Sequence, residues 1–310
     1  MLSRVANSIY WLGRYLERAD NVARFIDVNT HLMLDLSLSK DATQWYPLVA
    51  TSGDDEDFNK RYTVADERTV VKFLTFDDKN PNSIAQCIFR ARENARTVRE
   101  VIPVEMWEKI NELYHLTQSQ SRKRSVADLA GFYKEVRQSG HLFTGLMENT
   151  MSRQQGWQFA YLGQMKERAD KAARLLDVKY FLLLPGNEHV DSAYDAVQWG
   201  AVLKSVTALE MYRQQFHTIN YKDVTSFLLF SKAFPRSVAF CLDDAAAALK
   251  TLSGDGKPNK AVVEIDILNK TIHTSDAAHI ISAGLHEFID IFQYNLNLVD
   301  EAIYATFFKV

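Results

Sequence analysis

Apolar residues recur at alternating spacings of three and four along the first segment, at Val5, Ile9, Leu12, Leu16, Ala19, Ala23 and Ile26, the period of an amphipathic helix. Ser3 stands where a helix cap belongs. The same reading predicts helices near residues 66–76, 83–101, 104–118, 125–149, 157–184, 196–216, 222–231, 236–252, 259–272 and 276–308. Pro81, Pro103, Pro185, Pro235 and Pro258 fall between these stretches, as expected of residues that cannot donate the backbone bond inside a helix. Residues 51–59 and 252–259 read as solvated loops. The predicted fold class is all-α, a multi-helix bundle.

The chain resembles itself. WLGRYLERADNVARFIDV, residues 11–28, set over YLGQMKERADKAARLLDV, residues 161–178, gives ten identities in eighteen positions at an offset of 150. A second block matches at an offset of 154, pairing Gln44 with Gln198, Trp45 with Trp199, Phe73 with Phe227, Pro81 with Pro235, Ser83 with Ser237 and Cys87 with Cys241. A weaker third match, at 156, pairs Leu129 with Leu285, Phe132 with Phe288 and Leu142 with Leu298. The expected organisation is therefore two diverged tandem repeats, residues 1–150 and 151–310, packed as one body with approximate internal symmetry. No Gly/Pro/Ser-rich linker separates them.

Composition narrows the function classes. A net charge of -3 supplies no field that would recruit a polyanion, so nucleic acid is not expected. The apolar runs are far shorter than the ~20 residues a membrane span needs. Arg4, Arg14, Glu17, Arg18 and Asp20 interrupt what a signal peptide would keep apolar, and the expectation is a cytoplasmic protein. Cys87 and Cys241, the two cysteines, are too few for a cysteine zinc site and are expected in the core.

Gly13, Glu17, Asp20, Arg24 and Asp27 share one arc of the first helix, and the second copy repeats them as Gly163, Glu167, Asp170, Arg174 and Asp177 although the neighbouring Leu16 has become Lys166. A solvated face would have drifted faster. The stripes either pair with each other as a partly buried ion network, line a ligand or catalytic cleft with Glu17 and Glu167 as acid/base candidates, or gather carboxylates for a metal. The glycines admit a close approach by another backbone or a ligand. No metal or cofactor is assigned.

A second stretch, FRARENARTVRE at 89–100, stands where the other copy has a run of alanines. Arg92, Arg96 and Arg99 share a face flanked by Glu93 and Glu100, and a cationic stripe in one half alone points to a carboxylate-bearing partner. The alternative is a solvated face knitted by pairs such as Arg96 with Glu100. His273, Asp276, His279 and His286 cluster with irregular spacing, and Arg122, Lys123 and Arg124 read as a solvated loop.

MLSRVANSIYWLGRYLERADNVAR, SIAQCIFRARENARTVRE and EMWEKIN together resemble the bacterial alpha-E family, named for a helical domain with a Glu-Arg motif. That motif falls on Glu17 and Arg18 here. The family is encoded beside, or fused to, circularly permuted ATP-grasp proteins and transglutaminase-like peptidases. The resemblance therefore implies an accessory or substrate-binding protein working with an ATP-grasp amide ligase in peptide synthesis or modification. An enzyme of the same pathway using Glu17, Arg18 and Glu167, and a purely structural scaffold or homo-oligomer subunit, are the alternatives. The binding candidates are Arg92, Glu93, Arg96 and Arg99 on one face, and Asp20, Arg24, Asp170 and Arg174 in the stripes.

Overall fold

The computed structural model describes residues 1–35, 45–123, 129–182 and 193–309, and all regular structure among them is helical. The architecture is all-α. The long first helix, α1 (Ser3–Asp35), buries Ile9, Leu12, Leu16, Ala19, Ala23 and Ile26, the stripe its periodicity predicts. Short helices α2 (Tyr46–Ser52), α3 (Asp55–Asn59) and α4 (Glu67–Thr75) lead to α5 (Ile84–Thr97), α6 (Val104–Arg122) and α7 (Ala130–Thr150). The second long helix, α8 (Gln155–Leu182), is followed by α9 (Ala193–Ser205), α10 (Leu209–Arg213), α11 (Tyr221–Phe230), α12 (Val238–Ser253), α13 (Lys260–Thr274), α14 (Ala277–Ala283) and α15 (Leu285–Ile303). A π-helical turn, Tyr304–Phe308, closes the described chain.

α1 and α8 lie against each other at the centre. Around α1 pack α5 and α7; around α8 pack α12 and α15. α2 crosses over to rest on α8, and α9 rests on α1. Matching helices start by the same chemistry: the Ser83 hydroxyl accepts from the Gln86 amide at the start of α5, and the Ser237 hydroxyl accepts from the Phe240 amide at the start of α12. Trp45 and Trp199 are both buried; Gln44 lies outside the described residues. Cys87 and Cys241 are buried and free, and burial pushes both thiols up to about 12, which leaves them as core residues.

Three expectations need correction. Residues 51–59 are not a solvated loop: Thr51 and Ser52 end α2, α3 follows, and Phe58 is buried, stacked on Tyr62 and edge-on to Phe73. Three acidic residues in the first turn of α3 favour a helix N-terminus, and one aromatic anchor suffices to bury so short an element. The single helix expected over 196–216 is broken after α9, where Thr207 takes a left-handed φ of 57°. Gly53, its counterpart at an offset of 154, has φ 81°. The helix expected over 276–308 is interrupted at Gly284, with φ 123°, and ends in the π turn. The start expected at 125 for α7 falls on residues 124–128, outside those described.

Candidate functional site: the seam between the two long helices

Two glycines set the distance between α1 and α8. A Cβ built on Gly13 would sit 2.3 Å from the Ala160 carbonyl oxygen, and one built on Gly163 would sit 2.3 Å from that of Tyr10. Only a residue without a side chain admits such backbone approach. One turn further on, the two Glu-Arg pairs of the repeat meet crosswise. Arg18 donates from Nε (2.6 Å) and Nη2 (2.9 Å) to the two carboxylate oxygens of Glu167. Arg168 in turn forms an ion pair with Glu17 at 2.9 Å. Glu17 is 4% exposed and Glu167 fully buried.

Further cations close the seam. Arg14 donates to Glu167 at 3.0 Å, and Arg236, from the turn before α12, donates to Glu17 at 2.8 Å and to Asp20 at 3.0 Å. Burial by itself pushes the Glu167 carboxyl up, but Arg18 and Arg14 outweigh it and hold the group well below the usual carboxylate range. Asp20 is held low in the same way by Arg24 and Arg236. Each carboxylate of the motif thus faces two guanidiniums, an arrangement suited to clamping helices and ill suited to accepting a proton from substrate.

Glu17 is not paired with Arg24 or Arg174, the partners its stripe offered. Arg24 is taken one turn earlier by Asp20, at 2.7 Å to both oxygens, and also donates to the Thr207 hydroxyl at 2.7 Å. Arg174 pairs likewise with Asp170 at 3.2 Å and lies over Gly53. Lys171 bridges Asp170 (3.2 Å) to the Ser52 carbonyl (3.0 Å), and Asp27 and Asp177 turn outward to Arg137 (2.9 Å) and His286 (2.7 Å). The i to i+4 spacing makes the intrahelical pairs the nearest available, so the crosswise bonds fall to the adjacent Arg18 and Arg168.

Sequence reasoning missed Arg14, Arg236, Lys166 and Asp300. Asp300 of α15 accepts from Tyr10 at 2.7 Å and Arg14 at 3.0 Å, and lies 2.5 Å from the buried Lys166 ammonium. Burial drives Lys166 down to about 8 despite that carboxylate. Asp300 is drawn down to about 2 because Lys166 and Arg14 outweigh its own burial. The replacement of Leu16 by Lys166 in an otherwise kept face was the available signal, since a lysine can be buried there only with a partner from elsewhere in the chain.

The α5 face is built differently from the stripe expected. Arg92 is half-buried, donating to Asn111 at 2.8 Å and lying over Tyr114 (4.6 Å) and Trp107 (5.7 Å) of α6. Arg99 also lies over the Trp107 ring, at 4.9 Å. Arg96 pairs with Glu93 at 2.6 Å, not with Glu100. Of the three stripe arginines, the solvent-facing ones are therefore Arg96 and Arg99. The four residues of the histidine cluster do not converge: His273 turns to Asp243, Asp276 caps α14, and His286 sits between Asp177 and Asp290. Only Asp177, His286 and Asp290, among the described residues, bring metal-ligating atoms close together. An open groove of about 920 Å³ lies at the starts of α1 and α8, lined by Leu2, Val101, Pro103, Met151, Trp157 and Leu252 among others. No described helix is long and apolar enough to cross a membrane.

No solved structure matches the chain. Uncharacterized proteins of Mycobacterium bovis and Mycobacterium tuberculosis are each 22% identical over 303 residues, which cover 91% of this chain and 34% of theirs. The chain thus spans about a third of the length of those relatives. Residues 1–308 match the family model described as "A predicted alpha-helical domain with a conserved ER motif", and of the three ER dipeptides of this chain, at 17–18, 67–68 and 167–168, the first and the third are the pairs that interlock in the seam. The chain belongs to the Alpha-E family.

Proposed function

We propose that this chain is a non-catalytic accessory or substrate-binding protein of a circularly permuted ATP-grasp amide ligase, acting in the cytoplasm in peptide synthesis or modification. The observation that carries the reading is the crosswise pairing of Glu17 with Arg168 and of Arg18 with Glu167. A cleft enzyme would keep one of these carboxylates free to exchange a proton, and here each is enclosed by two guanidiniums. The ER motif then serves as the clamp of a duplicated fold, residues 1–150 and 151–310, whose reciprocal glycine contacts and matching helix caps support a pseudo-twofold relation about the seam. Asp20, Arg24, Asp170 and Arg174 belong to that clamp. Amide ligation and a transglutaminase-like peptidase as a second partner rest on the family resemblance.

Contact with the ligase, or with its carboxylate-bearing substrate, is assigned to Arg96 and Arg99, with Arg92 and Glu93 holding the face in shape against Trp107 and Tyr114. Arg96→Glu with Arg99→Glu should abolish co-purification with the co-expressed ATP-grasp protein and leave the melting temperature within about 2 °C, because exposed charges contribute little to stability. Undiminished co-purification of that variant removes this face from the interface.

A further inference from the structure

Asp27 ends the polar stripe of α1 and Asp177 ends that of α8, and the two halves hold these aspartates by different means. Asp27 takes a permanent cation, Arg137 of α7, at 2.9 Å. At the offset of 156, Arg137 corresponds to Gln293 of α15, Lys134 to Asp290 and Ala130 to His286. Gln293 turns instead to the Asp170 carbonyl. Asp177 is met by His286, with Nδ1 at 2.7 Å from Oδ1, and the other ring nitrogen of His286 faces Asp290 one turn on, with Nε2 at 3.5 Å from Oδ2. Half two has thus exchanged two cations for an imidazole and a second carboxylate.

The arrangement is that of a metal ligand with its support. An ionised carboxylate only accepts, so the short Asp177 contact places a proton on Nδ1 and leaves the lone pair of the neutral ring on Nε2, towards Asp290. A ligating histidine is ordinarily held in this way, by a carboxylate on its other nitrogen. Two ligands bonded to one tetrahedral ion at ~2.0–2.1 Å stand about 3.3 Å apart, close to the 3.5 Å between Nε2 and the Asp290 oxygen. One oxygen of each carboxylate and a ring nitrogen lie within 4.8 Å of one another. Within the cluster the two carboxylates outnumber the one charge that a protonated imidazole can supply, and Glu287 adds to the negative field. Burial pushes the Asp177 carboxyl up although His286 draws it down. The His286 side chain is 35% exposed and that of Asp290 68%, so an ion from solvent can reach the pair.

We infer that His286 Nε2 and the Asp290 carboxylate bind one divalent transition-metal ion of the zinc class, with Asp177 as the positioning carboxylate and the remaining coordination places open to water. The donor set decides the class: magnesium and calcium want oxygen alone, and copper(I) wants sulfur. A divalent ion balances both carboxylates, and on binding it displaces the Nε2 proton of the imidazolium to solvent. The inference stands apart from any ligase partner, because all three residues belong to this chain and lie on α8 and α15.

The test uses the full chain, stripped with a chelator, exchanged into a non-coordinating buffer at neutral pH and titrated with ZnCl2 by calorimetry. One ion per chain with Kd below about 100 µM is expected. His286→Ala and Asp290→Ala should each bind at least about tenfold more weakly, and Asp177→Asn, which keeps the shape and loses the orienting charge, about tenfold more weakly. The melting temperature of each metal-free variant checks its folding. His273→Ala removes a histidine paired with a single aspartate, Asp243, and should bind as the wild type does. Crystals soaked in ZnCl2 give a readout that needs no variant: an anomalous peak at the zinc edge about 2.1 Å from His286 Nε2. A wild type without saturable binding, a His286→Ala protein of wild-type affinity, or a zinc peak away from His286 would overturn the site; wild-type affinity in Asp177→Asn would overturn the positioning role.

Discussion

Replacing Gly13 by alanine tests whether the seam is set by backbone approach. In a helix interior that substitution normally stabilises by about 1 kcal/mol, through lost backbone freedom in the unfolded chain. At Gly13 the new Cβ would meet the Ala160 carbonyl oxygen at 2.3 Å, and that atom belongs to the backbone of α8, so no side-chain rotation relieves the clash. Opening the seam to the 3.4 Å at which ordinary contact begins moves α8 by about 1 Å. Overpacking of this kind costs about 1 to 3 kcal/mol. The displacement also stretches the Arg18–Glu167 bonds of 2.6 and 2.9 Å one turn away, each a charge-assisted bond whose weakening adds on the order of 1 kcal/mol. The net expectation is a loss of about 2 to 4 kcal/mol, and Gly163→Ala, which meets the Tyr10 carbonyl at the same 2.3 Å, should lose as much. Gly145→Ala in α7 is the control, since nothing lies within 4 Å of its Cβ, and it should gain stability. Urea denaturation followed by circular dichroism gives all three midpoints. A Gly13→Ala protein as stable as the Gly145→Ala protein would refute the reasoning, because then the two backbones have room to part.

Glu167→Gln keeps the shape, strands the buried Arg18 guanidinium with neutral acceptors and leaves Arg14 with Asp300 alone; a loss of about 3 to 5 kcal/mol in the same denaturation assay is expected, and an unchanged midpoint would mean the seam is not dry. For the pH profile, Asp300 has a folded pKa of about 2 against 3.8, so the stability it contributes is complete above 3.8 and lost as pH falls towards 2. Lys166 runs the other way: its ammonium, facing Tyr10, Arg14, Asp170 and Asp300, has a folded pKa of about 8 against 10.5, so the unfolded chain binds more protons between those values and stability rises with pH there. That gap corresponds to about 3 kcal/mol. Lys166→Met should flatten this rise, and a profile from 8 to 10.5 identical to wild type would show that the lysine is solvated.

Helix periodicity needs only neighbouring residues, which is why α1 with its buried face, and the reach of α5, α6 and α12, were legible along the chain. The internal sequence match was legible for the same reason, and it singled out Glu17, Asp20 and Arg24 with Glu167, Asp170 and Arg174 before any contact was known, whereas Arg168 was not among them. Elements held by one buried side chain were not legible: α3 depends on Phe58 meeting Phe73, and the break at Thr207 goes with its hydroxyl meeting Arg24. Composition around 51–59 reads as solvent because only the distant partner makes it otherwise. The pairing of charges was decided by the tertiary structure alone. An arginine's reach covers several carboxylates, and which one it takes depends on the angle and distance at which α1 and α8 cross, fixed by Gly13 and Gly163. Arg236 and Asp300, 219 and 286 residues from the Glu17 and Arg14 they bond, enter the seam only once α12 and α15 have docked, and no local pattern carries that information.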